Sequence, residues 1–388
     1  MNILFVNNAY NLFAKADCGA SQRSMNFIRA LRLVGHVDVV SFVDETVSNI
    51  SDVNIVYSKH IENAVVSNNK VANILKLFPM LSLGIIYPQK QEKEKILDRI
   101  ISQNKYDVIV VRYIRFACDC GLLKYANILY IDIDDGPKFG ILNFISKDDG
   151  FGRQLYYKWY ANAVDVACRR LVKKVKSAFY STPNLNYQNA CFLPNISVFQ
   201  HSLHSPKFDN VPPTILMVGS FNYYPNVEGL HHFIKYIFPK IRRDVSNASL
   251  YVIGKMGDEN LRTLCLNTDG VVSLGFVENL EEQYAKAHCV IIPIYKGTGT
   301  SVKLIEAMSL GRAVVTTPCG ARGLNPEFVP NEDYLLAEND DDFARKVCYL
   351  LTHPAENNHM LQNAIQKIDK YYSQEMFDGI ILSAVNRI

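Results

Sequence analysis

The chain has 388 residues, enough for about two to three domains at roughly 150 residues each. Hydrophobic residues make up 48% and charged residues 20%, an ordinary globular composition that excludes a disordered chain. Lys and Arg total 41 against 38 Asp and Glu, so the formal charge is +3, and no nucleic-acid partner is expected.

The chain opens on an apolar strand at Ile3–Val6, without the basic and small-residue pattern of a signal peptide. An Asn-rich loop leads to Asp17-Cys18-Gly19-Ala20-Ser21, then to a helix over Gln22–Val34 carrying Met25, Ile28 and Leu31 on one face. Gly35 ends that helix, and Val37–Phe42 reads as the next strand. Tyr106–Tyr113 and Ile128–Ile133 are continuous apolar runs of the kind buried on both faces of a parallel sheet. Phe151–Lys176 reads as one long helix, followed by a strand at Ala178–Ser181 and a stop at Leu193-Pro194-Asn195.

A second alternation begins after a Pro- and His-containing stretch. Its strands are Ile215–Gly219, Leu250–Gly254, Val271–Leu274, Val290–Ile294, Ala313–Thr317 and Tyr334–Ala337. Helices over Val227–Arg243, Leu280–His288, Val302–Leu310 and Asp341–Thr352 fit between them. The expectation is α/β: two doubly wound, Rossmann-like domains. The first spans 1–200, a linker 201–212, and the second 213–373, with the helix at 374–388 returning to the first.

Nine scattered cysteines without a C-x-x-C pair make neither a disulfide framework nor a zinc site, and fit a reducing cytoplasm. The apolar run Ile74–Tyr87 is interrupted by Lys76 and Pro79 and is too short to span a bilayer as a helix. Together with the basic run Arg169–Lys176 it is a candidate for peripheral contact with the inner membrane surface; a solvated helix end and a core segment are the alternative.

The segment Pro293–Pro318 carries the most chemistry. A strand ends, a Gly/Thr/Ser loop follows (Thr298, Gly299, Thr300), and a helix starts near Ser301 or Val302. Such a start offers backbone N–H groups and the positive end of the macrodipole to a diphosphate. Lys303 adds a charge, and Glu306, one turn on, is placed to accept ribose hydroxyls. An ordinary capped helix with a Lys303–Glu306 surface pair is the plainer alternative.

This segment resembles the nucleotide-sugar signature of retaining glycosyltransferases of family 4 (glycosyl transferases group 1). The resemblance extends to Ile215–Ser220, Asn222–Asn226, Leu250–Gly254 and Leu274–Asn279, and in the first half to Gly19–Arg23 and Pro194-Asn195. It implies a GT-B fold, two domains facing across a cleft, and metal-independent sugar transfer from a nucleotide diphosphate sugar. The acceptor would be a glycan or lipid-linked molecule in cell-envelope polysaccharide synthesis, and no cofactor is implied. The resemblance places the donor at Gly19, Gly219, Ser220, Asn226, Lys255, Phe276, Val277, Thr298, Gly299, Thr300, Ser301 and Val302, with Lys303 and Glu306 catalytic.

Two positions depart from the pattern. Thr298 stands where many members carry the first glutamate of E-x(7)-E. No first-domain histidine takes the place usual near the reaction centre, His36 reading as part of a turn before a strand. The acidic run Asp132, Asp134 and Asp135 ends a strand, the edge where open α/β sheets bind ligands. Asp132, Asp134 and Asp135 are therefore candidates for orienting the acceptor or acting as weak bases, Asp134 and Asp135 being taken as catalytic; an aspartate-rich turn capping the next helix is the alternative, and no metal is assigned to them. Arg112 and Arg115 are candidates for an anionic acceptor, with surface arginines as the alternative. Rival functions are a nucleotide-sugar 2-epimerase of the same fold and a catalytically silent binding subunit; an NAD oxidoreductase is more distant, since G-x-G-x-x-G is absent.

Overall fold

The structure is a computed structural model in which residues 1–8, 12, 19–45, 53–61, 88–142, 145, 149–183, 185–199, 212–297 and 300–386 are described. The chain divides into two compact units, Met1–Pro194 with Gln374–Ile388, and Asn195–Ser373. The expected linker at 201–212 lies, except for Pro212, outside the described residues, as does the apolar run before Tyr87.

Each unit is built on a parallel sheet, as the strand–helix alternation predicts. In the first, β1 (Asn2–Asn7), β2 (His36–Ser41), β3 (Val53–Ser58), β4 (Val108–Arg112), β5 (Leu129–Asp134), β6 (Ser177–Tyr180) and β7 (Ala190–Phe192) lie in the order β3-β2-β1-β4-β5-β6-β7. In the second, β8 (Thr214–Val218), β9 (Ser249–Ile253), β10 (Val271–Gly275), β11 (Cys289–Ile292), β12 (Val314–Thr316) and β13 (Leu335–Leu336) lie in the order β10-β9-β8-β11-β12-β13. Both sheets reverse direction of growth once, between β1 and β4 and between β8 and β11. Ligands of doubly wound sheets bind outside the strands' carboxyl ends at such a point.

The central strands are buried along almost their whole length, β1 from Ile3 to Asn7 and β4 throughout, because helices cover both sheet faces. Edge strands lack that signature. In β3 the side chains are only half-buried, and β7 is three residues long, which is why neither stands out in the sequence. The helix Glu259–Leu266 is also unannounced; Asp258 caps it by accepting from the Leu261 N–H at 2.8 Å.

The helix expected over Val227–Arg243 is three consecutive pieces: Tyr224–His232, a π-turn at Phe233–Ile237, and Phe238–Asp244. Pro239 is the cause. It has no N–H to donate into an α ladder, and the widened turn accommodates its ring. The helix Gln374–Val385 belongs to the first unit, where Phe377 meets Phe27 edge to face at 5.6 Å and the Tyr130 hydroxyl donates to the Ala384 carbonyl. Among the described residues no helix is long and apolar enough to cross a membrane.

Candidate functional site

In the second unit the sheet reversal falls between the ends of β8 and β11. The carboxyl ends of β8, β9 and β10 are knitted through glycines. The Gly219 N–H donates to Ile253, and the Gly254 N–H to Gly275, at 2.9 and 2.8 Å. Gly254 has φ +139°, and a β-carbon there would stand 1.7 Å from the Gly219 carbonyl oxygen, so only glycine fits.

The helix Val302–Ser309 starts on the β11 side of this reversal, with Ser301 at its N-cap. From its first turn Lys303 reaches back to β8. Its Nζ donates to Asn226 Oδ1 at 2.7 Å, and Asn226 Nδ2 in turn donates to the Ser220 carbonyl at 2.7 Å. A β-carbon on Gly219 would lie 3.1 Å from the same Nζ. Among the described residues the hydrogen-bond partner of this ammonium is an amide, not a carboxylate. Burial pushes the Lys303 amine down to about 8, against the opposing pull of Glu306. A half-buried cation with a neutral partner at a helix start retains charge for an anion.

Glu306 is buried, and its Oε1 accepts from the Tyr284 hydroxyl at 2.7 Å. Burial raises its carboxyl above the usual range, while the Tyr284 hydrogen bond and the Lys303 charge oppose the rise. The surface ion pair with Lys303, the plainer sequence alternative, is therefore corrected: one partner is buried and holds a tyrosine. Tyr284 itself is fully buried on the helix Leu280–Lys286, and nothing in its sequence context marks it.

Around this centre Ser220 is exposed, Thr300 and Ser301 are half-buried, and Val302 begins the helix. Lys255 follows β9, and its amine lies 5.8 Å from the centre of the exposed Phe276 ring, with Val277 beside it in sequence. A cation over an open aromatic face can stack a planar heterocycle. Thr298 and Gly299 lie outside the described residues. Arg322 is an addition the sequence reading missed. Its carbonyl accepts from the Ser301 N–H at 3.4 Å, and its guanidinium comes within 3.8 Å of where a Gly297 β-carbon would stand.

The acidic run of the first unit is built into a buried charge network. Asp132 accepts from Arg23 Nη2 at 2.7 Å and from Arg112 Nε at 2.9 Å. Arg23 also donates to the Leu193 and Pro194 carbonyls. Arg112 donates further to Asp134 at 2.7 Å, to the Ser24 hydroxyl and to the Ala20 carbonyl. The reading of Arg112 as an acceptor-binding arginine is corrected: it is buried, and four of its donors already have partners inside the unit. Arg115 is exposed on the helix Ile114–Asp119, with Asp119 4.0 Å away. Gly19 is exposed as the first residue of the helix Gly19–Arg32, one turn before Arg23.

Asp134 ends β5 with φ +60°, a left-handed conformation that asparagine and aspartate tolerate best among non-glycines. Ser181 Oγ donates to both Asp134 and Asp135 at 2.9 Å, and Thr182 donates to Asp135 at 3.2 Å. Burial, then the neighbouring Asp134 charge, raises the Asp135 carboxyl above the usual range, although both hydroxyls act the other way. Among the described residues no group of three or more His, Cys, Asp or Glu side chains is placed to hold a metal ion. Arg23, Ser181 and Thr182 are thus parts of this site that the sequence reading did not assign.

Two doubly wound parallel sheets, one in each unit, define the GT-B class of fold. Residues 212–353, which lie within the second unit, match the family Glycosyl transferases group 1. Among solved structures the chain is similar to a sucrose-phosphate synthase from Thermosynechococcus elongatus (14% identity, 99% and 98% of the two chains, TM-score 0.66). It is also similar to HepE of Anabaena in complex with UDP and glucose (11%, 100% and 99%, TM-score 0.64). A third is WaaG, a glycosyltransferase involved in lipopolysaccharide biosynthesis (14%, 97% and 99%, TM-score 0.61). A curated relative, an uncharacterized 44.6 kDa protein in the cps region of Klebsiella pneumoniae, is 22% identical over 197 residues, 49% of this chain. The match spans 50% of that relative's length.

Proposed function

We propose that the protein is a retaining glycosyltransferase that moves a sugar from a nucleotide diphosphate sugar to a glycan or lipid-linked acceptor in cell-envelope polysaccharide synthesis, on the cytoplasmic side. The observation that carries this reading is the Lys303 ammonium, held by Asn226 beside Gly219 at the sheet reversal of a group 1 glycosyltransferase unit. The presence of UDP and glucose on HepE supports the same class of donor.

In this reading the diphosphate lies against Lys303 and the start of its helix, where the charge that develops on departure is stabilised. The bond between the anomeric carbon and the phosphate oxygen breaks, and the acceptor oxygen bonds that carbon on the same face. The acceptor proton passes to the departing phosphate, so no strong protein base is needed. Glu306 accepts donor hydroxyls, Lys255 and Phe276 receive the base, and Asp134 with Asp135 orients the acceptor. The ammonium and helix start supply the countercharge, so transfer proceeds without a metal or other cofactor.

The test is a thermal-shift panel of nucleotide diphosphate sugars, followed by turnover with acceptor in the presence of a chelator. A true donor at 100 times its dissociation constant stabilises by about 2.7 kcal/mol. A flat panel across all bases defeats the donor reading. Product formed from donor without any acceptor identifies an epimerase instead, and activity lost to the chelator and restored by magnesium overturns metal independence.

A further inference from the structure

The helix Phe151–Val172 presents an outer face that the proposed reaction does not use. Phe151, Leu155 and Trp159 are spaced four residues apart and Val166 follows seven later, which places them along one side of an α-helix. These residues are 84, 57, 50 and 45% exposed. Among the described residues of the first unit, the other large exposed apolar side chains are Met1 and Leu33, so the exposure is concentrated on this helix. The opposite face, with Ala161, Val164, Ala167 and Cys168, is buried in the unit's core.

The charge on the outer face has one sign. Lys158 and Arg170 are exposed along it, and Lys173, Lys174 and Lys176 are exposed where the helix runs out into β6. The helix has a single acidic residue, Asp165, and that carboxylate is buried and bonded to Arg169 and the Tyr187 hydroxyl. An exposed stripe of Phe, Leu, Trp and Val bordered by Lys and Arg, with no exposed carboxylate, is complementary to one surface: apolar acyl chains beneath a layer of negative headgroups. Tryptophan is a side chain that favours that boundary.

We propose that the face formed by Phe151, Leu155, Trp159 and Val166 docks the protein flat on an anionic lipid bilayer. The apolar side chains enter the headgroup–acyl boundary, and Lys158, Arg170, Lys173 and Lys174 meet the lipid phosphates. The helix lies in the plane of the membrane rather than across it. The proposal does not depend on the sugar-transfer reading, because none of its residues is assigned to donor or acceptor and it is measured without either.

Trp159 is the chain's only tryptophan, so its fluorescence reports on this face alone. The full chain is mixed with vesicles of phosphatidylcholine, with and without phosphatidylglycerol. With the anionic lipid, Trp159 emission shifts to the blue and is quenched by lipids brominated on the acyl chains. Phe151→Ser with Leu155→Ser, both exposed and therefore tolerated by the fold, weakens partitioning by about tenfold or more. Lys173→Glu with Lys174→Glu weakens it by about tenfold on anionic vesicles only, and added salt does the same for the wild type. Emission unchanged by either vesicle, or a shift without quenching by brominated lipid, overturns the proposal. So does a blue shift that grows with protein concentration in the absence of lipid, which would assign the face to a second copy of this chain.

Discussion

Lys303 and Gly219, 84 positions apart in sequence, meet at the end of β8, where a β-carbon on the glycine would stand 3.1 Å from the ammonium. The contact is tight but met by the flexible end of a lysine, so Gly219→Ala is expected to displace the ammonium rather than unfold the unit. The expected outcome is a near-normal melting temperature with about a tenfold loss of nucleoside diphosphate affinity, the loss of roughly one charge-assisted hydrogen bond. Gly254→Ala differs in kind, since its β-carbon would strike the Gly219 carbonyl oxygen. It should lower the melting temperature of the second unit outright.

Lys303 also predicts a pH dependence. Its amine is pushed down to about 8, below the ordinary value, so it loses its charge in the free protein as pH rises through that value. Nucleoside diphosphate should bind progressively more weakly above pH 8, and binding near pH 8 to 9 should take up protons because the ligand restores the charge. Calorimetry in buffers of different ionisation enthalpy measures the uptake. Stability moves the opposite way: between the folded and ordinary values the unfolded chain binds more protons, so this group's penalty is relieved as pH rises. Lys303→Gln should remove both dependences.

Glu306→Ala should weaken donor-sugar binding by about ten- to a hundred-fold, the loss of one or two hydrogen bonds to a charged group. It also leaves the buried Tyr284 hydroxyl without its partner, which destabilises by about 1–3 kcal/mol. Tyr284→Phe separates the two effects. It keeps the carboxylate and removes the group that aims it, so donor affinity should fall less than in Glu306→Ala, with a smaller change in stability. Donor binding of Glu306→Ala equal to wild type would dismiss this helix as the donor site.

Asp132 should be a stability residue. Burial alone would raise its carboxyl, but the charges of Arg23 and Arg112 and their hydrogen bonds hold it below the usual range. The stabilisation is therefore complete above the ordinary carboxylate value and is lost as pH falls through the depressed one. Asp132→Ala strands two buried guanidinium groups, a change that costs about 3–5 kcal/mol. For a unit of this size the melting temperature should fall by about 10 °C, and calorimetry of the full chain reads it directly.

Asp135 should trade stability for turnover. Its carboxyl is raised, so the folded state favours the protonated form and pays increasingly as pH climbs above the ordinary carboxylate range. Asp135→Asn keeps an oxygen for Ser181 and Thr182 and removes the charge beside Asp134. The expected result at neutral pH is a slightly higher melting temperature, unchanged nucleotide binding and a lower rate of sugar transfer. An unchanged rate would remove Asp135 from the reaction.

The sequence alone determined the strand–helix alternation, and with it the two parallel sheets, because strands such as Ile3–Val6 and Val108–Arg112 are apolar throughout when both faces are covered. It also singled out the segment of Lys303 and Glu306, because a small-residue loop before a helix is a local pattern. Edge strands such as Val53–Ser58 stayed hidden, since half-burial weakens the apolar signal. Only the tertiary structure decided which charges are spent. Arg112 and Asp132 look like exposed strand-end groups in one dimension, yet the sheet lays β4 beside β5 and brings Arg23 from a helix 109 residues away to close a buried network. Tyr284 and Asn226 likewise acquire their places beside Glu306 and Lys303 through folding. Burial and hydrogen-bond partnership depend on neighbours distant in sequence, and no local pattern of residues encodes them.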